Sequence, residues 1–193
     1  MIQRKIKNNK TCSTLLEALV VIGILVILST TMFLSTRAVG GKQKLDMSTQ
    51  ELASNLRLMQ SYVLNLRDAK GNIPEGGWGI YFDLSSQTDR YQIVFDNGTT
   101  QGNEYYFDTN EKIREVVLPK GVYVSEVRVD GVSSTNPCIN YSPPDPSVHL
   151  CEDASMCSGG GSATTLEIDI SNFDDSDSKT IVLNKYGLID VQN

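Results

Sequence analysis

The chain has 193 residues, of which 40% are apolar and 21% charged, as is typical of a folded domain with an accessory segment. The first twelve residues carry four basic side chains and no acidic one. From residue 13 onward, 13 basic residues therefore face 23 acidic ones, a net charge of −10. Such an acidic body repels phosphate backbones, which argues against broad electrostatic binding of nucleic acid. The basic start is typical of the cytoplasmic side of a membrane segment.

Residues 15–34 form a nearly uncharged apolar segment, LLEALVVIGILVILSTTMFL, in which Glu17 is the single charged residue. Its 20 residues are about the length that crosses ~30 Å of hydrocarbon as a helix. The run is also longer than the apolar region of an ordinary cleaved secretory signal. We therefore expect a membrane-spanning helix over 15–34.

The helical pattern continues beyond this apolar segment. No proline occurs between residues 13 and 73, and Gly40-Gly41 is the obvious weak point. Apolar residues then recur at spacings of 7, 4, 3, 4 and 3, which is the stripe of an amphipathic helix: Leu45, Leu52, Leu56, Met59, Val63 and Leu66. The pattern predicts one helix over 13–67 whose second half is covered by the rest of the chain.

The remaining residues, 68–193, predict a β-rich head. After a glycine-rich linker at 69–77, several short runs alternate apolar and polar residues, as strands of an antiparallel sheet do. The predicted strands are 78–84, 91–95, 104–108, 114–118, 122–129, 166–170, 180–184 and 188–191. The fold class is therefore α+β, a long N-terminal helix packed on an antiparallel sheet. The interval 131–163, with four prolines and SGGGS, predicts a long loop before the last three strands.

Aromatic residues of the head alternate with polar ones at strand spacing. This spacing favours core packing over an exposed binding face for Trp78, Tyr81, Tyr91, Tyr105 and Tyr106.

The four cysteines are Cys12, Cys138, Cys151 and Cys157. If Cys12 is lost with a leader, one disulfide and one thiol are the simplest arrangement of the other three. Two of these three can pair in three ways, and the sequence does not choose among them. Pairing of Cys151 with Cys157 closes a short loop, and pairing of Cys138 with Cys151 closes a longer one. A zinc site that adds His149 is less favoured, because no CxxC pair is present.

No sequence pattern indicates an enzyme. The single histidine cannot build an HExxH site, and no glycine-rich phosphate loop follows a strand. The acidic segment NFDDSDS, 172–178, predicts a solvated hairpin loop. Calcium binding by Asp174, Asp175 and Asp177 is less favoured, because the EF-hand spacing is missing. We expect no catalytic site and no cofactor.

The stretch STLLEALVVIGILVIL, preceded by a short basic leader, resembles the class III signal of type IV prepilins and pseudopilins. In that family a peptidase cuts before the apolar run, usually after a glycine, and a glutamate is fifth in the mature chain. The new N-terminal residue is usually N-methylated. The resemblance implies removal of residues 1–12 by a cut between Cys12 and Ser13, and methylation of Ser13. Thr14-Leu15-Leu16-Glu17 matches the family's core motif.

The resemblance implies a structural subunit, of the minor kind, of a type IV pilus or a type II secretion-like pseudopilus. Glu17 would meet the N-terminal amine of a neighbouring subunit and set the register of helix packing. Residues 51–83 and the closing TIVLNKYGLIDV look like minor pseudopilins of the GspH/FimT type.

The implied partners are prepilin peptidase, other pilin or pseudopilin subunits, the inner-membrane assembly platform and the lipid bilayer. The implied location is the bacterial cytoplasmic membrane, crossed once with the head outside the cytoplasm, and the filament. The alternative is a membrane-anchored extracytoplasmic binding or sensor domain that does not polymerise, in which Glu17 is a tolerated interfacial acid.

Overall fold

The computed structural model describes residues 11–86, 88–98, 109–143, 147–152, 163–173 and 177–192, with only the backbone at 11–14, 31–39 and 109. It divides into two compact units, Met1–Gly40 and Gly41–Asn193. The described residues form one long helix, a short 3-10 helix at Thr109–Glu111 and ten strands, which confirms the α+β class. The predicted strand at 104–108 lies outside the described residues.

Helix α1 runs without a break from Thr11 to Leu64, close to the predicted 13–67, and it continues through Gly40-Gly41. It ends in a Schellman motif, because Leu66 adopts a left-handed conformation with φ of 47°. The Leu66 amide donates to Val63 O at 3.1 Å, and the Arg67 amide donates to Tyr62 O at 2.9 Å. These two bonds satisfy carbonyls that the end of the helix would otherwise leave open.

One face of the second half of α1 is buried, as its apolar stripe predicts. The buried residues join a single core with side chains of the head: Leu45, Leu52, Leu56, Met59 and Val63. Burial of each such side chain stabilises the fold by roughly 1.5–3 kcal/mol. Leu66 was expected in this stripe but is exposed, because it lies past the last helical residue in the Schellman turn.

The ten strands, in chain order, are β1 (Gly77–Tyr81), β2 (Arg90–Asp96), β3 (Lys112–Val117), β4 (Val122–Val129), β5 (Val132–Ser133), β6 (Cys138–Ser142), β7 (Ser147–Cys151), β8 (Thr165–Asn172), β9 (Ser178–Asn184) and β10 (Ile189–Gln192). They form two five-stranded sheets, in the orders β3-β2-β1-β6-β7 and β10-β9-β8-β4-β5. Every pair within the two sheets is antiparallel. The head therefore holds two antiparallel sheets, where the sequence predicted one.

The predicted loop at 131–163 is wrong over much of its length, because β5, β6 and β7 lie within it. Strand β6, CINYS, is buried at all five positions, since it lies between β1 and β7 inside the first sheet. A strand buried on both faces shows no alternation, so the period-two pattern could not reveal it. Residues 153–162 of this interval lie outside the described part of the chain.

The aromatic residues support the prediction of core packing where the structure describes them. Trp78 and Tyr91 are buried, and Tyr81 is half-buried. The Trp78 ring lies 4.9 Å from the Tyr62 ring of α1 and 6.1 Å from that of Phe95. Tyr105 and Tyr106 lie outside the described residues.

Candidate functional site

The first half of α1 exposes apolar side chains on every side. Between Leu15 and Leu28, eleven large apolar residues are 48–73% exposed: Leu15, Leu16, Leu19, Val20, Val21, Ile22, Ile24, Leu25, Val26, Ile27 and Leu28. A helix that is apolar all round is built for burial in an apolar environment. The second half of the same helix buries one face in the head. The two halves of the helix therefore require different surroundings.

Two hydroxyl side chains at the end of this apolar run bond to the helix itself. Ser29 Oγ donates to Leu25 O at 2.7 Å, and Thr30 Oγ1 donates to Val26 O at 2.5 Å. Such back-bonding satisfies the hydroxyl within the helix and lowers the cost of an apolar environment. Among the residues whose side chains are described, no helix offers a stretch long and apolar enough to cross a membrane. The predicted span 15–34 includes residues 31–34, which are described by backbone alone.

Glu17 lies among these apolar side chains, and its own side chain is exposed. It follows Ser13 by four residues in a continuous helix, so the two positions share one face. Cys12 and Ser13 are the second and third residues of α1, described by backbone only. A cut between them would leave the helix intact from Ser13 onward. Glu17 would then lie near the helix N-terminus, where the macrodipole favours negative charge. Cleavage and methylation stay predictions.

The second half of α1 is fixed to the head by polar contacts as well as by the core. Gln60 Nε2 donates to Gly187 O at 2.6 Å, in the turn between β9 and β10. The Lys179 ammonium lies 2.7 Å from an Asp46 carboxylate oxygen. These contacts link α1 to the second sheet at two places. They hold this half of the helix in one rotational setting.

Strands β6 and β7 place Cys138 directly opposite Cys151, and both residues are buried. Cys151 is disulfide-bonded, whereas Cys138 carries a thiol. Of the three pairings that the sequence leaves open, the structure therefore does not contain that of Cys138 with Cys151. Cys157 lies outside the described residues.

The two metal alternatives fall partly outside the described chain. His149 in β7 is half-buried, with Nε2 3.4 Å from Ser147 Oγ. Asp177 is exposed, while Asp174 and Asp175 lie outside the described residues. Across the described segments, no three histidine, cysteine, aspartate or glutamate side chains are grouped so that they could hold a metal ion.

A cationic surface at the far end of α1 was not anticipated from the sequence. It brings together Arg67 and Lys70, just after the helix, and Arg114 of β3. Arg114 lies more than forty positions away in the chain, and only the fold of the first sheet makes the three residues neighbours. No local sequence signal could have linked them.

The chain matches no protein-family profile, and it matches no curated protein. Among solved structures it is similar to the minor pseudopilin EpsH from the type 2 secretion system of Vibrio cholerae. The similarity covers 77% of this chain and 95% of that one, at 13% sequence identity and a TM-score of 0.38. The sequence resemblance named the same class of protein, minor pseudopilins. Similarity at this level carries no inference about activity or partners.

Proposed function

We propose that this chain is a minor structural subunit of a type IV pilus or of a type II secretion-like pseudopilus. The observation that carries the proposal is the two-part surface of α1. Large apolar side chains are exposed all around residues 15–28, while one face of residues 45–63 is buried in the head. The first half needs a bilayer before assembly and neighbouring helices afterwards, because its apolar surface is unfavourable in water.

Processing precedes assembly in this proposal. Prepilin peptidase cuts the Cys12–Ser13 peptide bond, removes residues 1–12, and the new Ser13 amine is methylated. The cut creates a positive charge one helical turn from the Glu17 carboxylate. In an apolar bundle of helices, a charge left without an opposite partner is costly. Glu17 paired with the amine of a neighbouring subunit therefore disfavours every register in which the two groups are apart.

The same proposal sets the location. Residues 15–34 cross the cytoplasmic membrane once, the basic residues 1–12 stay on the cytoplasmic side, and the head lies outside the cytoplasm. The partners are the peptidase, the assembly platform, lipid and other pilin or pseudopilin subunits.

The mature N-terminus tests this function. The full chain is purified from membranes of its host and from a matched strain that lacks prepilin peptidase, and both are analysed by intact mass and N-terminal peptide mapping. We expect a chain that begins at methylated Ser13 in the host and an uncut chain in the mutant strain. An intact leader in both strains would contradict the proposal and favour the membrane-anchored domain that does not polymerise.

A further inference from the structure

A groove of about 800 Å³ opens on the head where the buried face of α1 begins. Its walls come from α1, from the segment that joins β3 to β4, and from the residue after β8. Four apolar residues and two lysines are among those that line it: Leu118, Pro119, Val122, Phe173, Lys44 and Lys120. We call this feature the lysine groove. Its volume lies within the range of ~300–1,000 Å³ that is usual for ligand clefts.

The Phe173 side chain gives the lysine groove an exposed aromatic rim. Phe173 is 85% exposed, although its backbone is anchored, because its amide donates to Gly121 O at 2.9 Å. A single exposed apolar residue needs no explanation, but this ring lies on an apolar groove that also holds cations. Such a surface fits a ligand with an apolar part and a charged part.

The two lysines of the groove are exposed and have no carboxylate partner. Among the described residues, neither Lys44 nor Lys120 forms an ion pair, whereas four other cations do: Arg90, Lys112, Arg128 and Lys179. Lys44 Nζ instead donates to Lys120 O at 3.4 Å. One acid, Asp89, also lines the groove, and its carboxylate lies 2.9 Å from Arg90 Nε. Both ammonium groups are therefore available to a phosphate.

The lysine groove is close along the chain to the segment predicted to cross the membrane, 15–34. A Cβ placed on Gly41 of α1 would lie 3.7 Å from Asn172 Nδ2, so the residue before Phe173 lies against the helix at this point. Gly41 follows residue 34 by seven positions, and Lys44 follows it by ten. Ten helical residues rise about 15 Å, and lipid headgroups extend ~5–8 Å beyond the hydrocarbon. A lysine side chain is long enough to cover most of the difference.

A second exposed aromatic side chain lies at the other end of the head and provides a comparison. Tyr186 is 80% exposed in the turn between β9 and β10. The next residue in this turn, Gly187, accepts a hydrogen bond from Gln60 Nε2 at 2.6 Å. Gln60 follows Lys44 by sixteen residues, over which α1 rises about 24 Å. Of these two aromatic residues, only Phe173 lies near the start of the head's part of α1.

We propose that the lysine groove binds the headgroup of a zwitterionic phospholipid at the outer face of the cytoplasmic membrane. Phe173 enters the interface between headgroups and acyl chains, where aromatic rings are favoured. Lys44 and Lys120 bind the lipid phosphate. Asp177, exposed just before β9, suits the ammonium group of the same headgroup. The inference rests on the proposed function, in that residues 15–34 cross the bilayer, and it holds the head against the membrane before assembly.

Photocrosslinking to lipid tests the contact. The full chain with p-benzoylphenylalanine in place of Phe173 is reconstituted in vesicles of phosphatidylethanolamine and phosphatidylcholine, irradiated, and analysed by mass spectrometry. The matched control carries the same label at Tyr186. We expect phospholipid adducts at position 173 at least about fivefold above those at position 186, because only the first ring reaches the interface. Equal yields, no lipid adduct at position 173, or crosslinks from it to protein alone would overturn the proposal.

Charge reversal gives a second measurement. In the chain labelled at position 173, Lys44→Glu and Lys120→Glu should each lower the yield of lipid adduct at least about threefold, because a carboxylate repels the phosphate. Lys185→Glu is the matched control, since Lys185 is exposed and lies beside Tyr186, with Nζ 5.3 Å from the centre of that ring. This control should leave the yield unchanged. Equal losses from Lys185→Glu and Lys44→Glu would contradict the contact.

The outcomes separate this contact from the proposed function. Carbonate extraction of the vesicles shows whether residues 15–34 hold the chain in the bilayer. A chain that resists extraction but gives no lipid adduct at position 173 would refute the contact and leave the function intact. Lipid adducts on a chain whose leader is never removed in its host would support the contact and refute the function. A chain that carbonate extracts would refute both.

Discussion

The Asn55 side-chain amide donates a 2.6 Å hydrogen bond to the Tyr91 hydroxyl, which joins helix α1 to strand β2 inside the core. Both residues are buried, and Tyr91 is only 1% exposed. Burial raises the pKa of Tyr91 to about 12 from its ordinary value of 10.0. Loss of either partner would leave a buried polar group without a hydrogen bond, which costs about 1–3 kcal/mol.

The shifted pKa of Tyr91 predicts a loss of stability at alkaline pH. Between pH 10 and about pH 12 the unfolded chain releases the phenolic proton, whereas the folded chain keeps it. The stabilisation is therefore complete below pH 10 and lost as the pH rises through that window. Denaturant unfolding of residues 41–193 across this range should show the free energy of unfolding falling.

Tyr91→Phe should make that fall shallower, because this proton is no longer released. Some slope should remain, since burial also raises the pKa of Tyr141. The exposed Tyr186 provides the control, and Tyr186→Phe should leave the alkaline slope unchanged. An unaltered slope in Tyr91→Phe would show that this hydroxyl does not carry the effect.

The cysteines provide a second prediction. Cys138 carries a buried thiol and Cys151 is disulfide-bonded. In a chain that has lost Cys12, the remaining candidate partner of Cys151 is Cys157. We expect non-reducing peptide mapping to find Cys151 linked to Cys157, and alkylation of Cys138 only after unfolding. Cys138→Ala should keep the disulfide, and a peptide linking Cys138 to Cys151 would refute this pairing.

A third prediction concerns the rate of processing. Cys12 stands where the prepilin family usually has glycine, and it lies in the first turn of α1. Cys12→Gly should speed cleavage several-fold, because glycine fits the family's usual site and weakens the local helix by about 1 kcal/mol. Pulse-chase analysis of precursor and mature chain measures the rate. Thr11→Ala is the control and should leave the cleavage rate unchanged. Equal cleavage rates for Cys12→Gly and the unaltered chain would contradict the prediction.

The sequence anticipated those parts of the fold whose burial is periodic. The stripe from Leu45 to Val63 predicted α1, and the alternation in 122–129 predicted β4. Strand β6 was missed because every residue in it is buried, so no alternation marks it. Leu66 was misplaced because a backbone conformation, rather than an apolar pattern, ends the helix.

The residues of the candidate site likewise fall into those that a local sequence signal reveals and those that only the fold brings together. Glu17 could be singled out from the sequence, since one charge in an apolar run is a local signal. The hydrogen bond between Asn55 and Tyr91 joins residues that only the fold brings together. The same is true of the cationic surface formed by Arg67, Lys70 and Arg114. The opposition of Cys138 and Cys151 likewise depends on a strand pairing that the sequence did not reveal.

In the proposed filament, α1 packs against other subunits in a register that Glu17 sets. The most direct test of this packing is the amount of Glu17→Ala chain in filaments sheared from cells, measured beside the exposed control Glu51→Ala on the same helix. We expect Glu17→Ala to be cut normally yet to fall at least about tenfold in filaments, because the neighbouring amine is left without its partner. Glu51→Ala should be found in filaments at the level of the unaltered chain. Incorporation of Glu17→Ala at the level of the unaltered chain would show that Glu17 does not set the register of assembly.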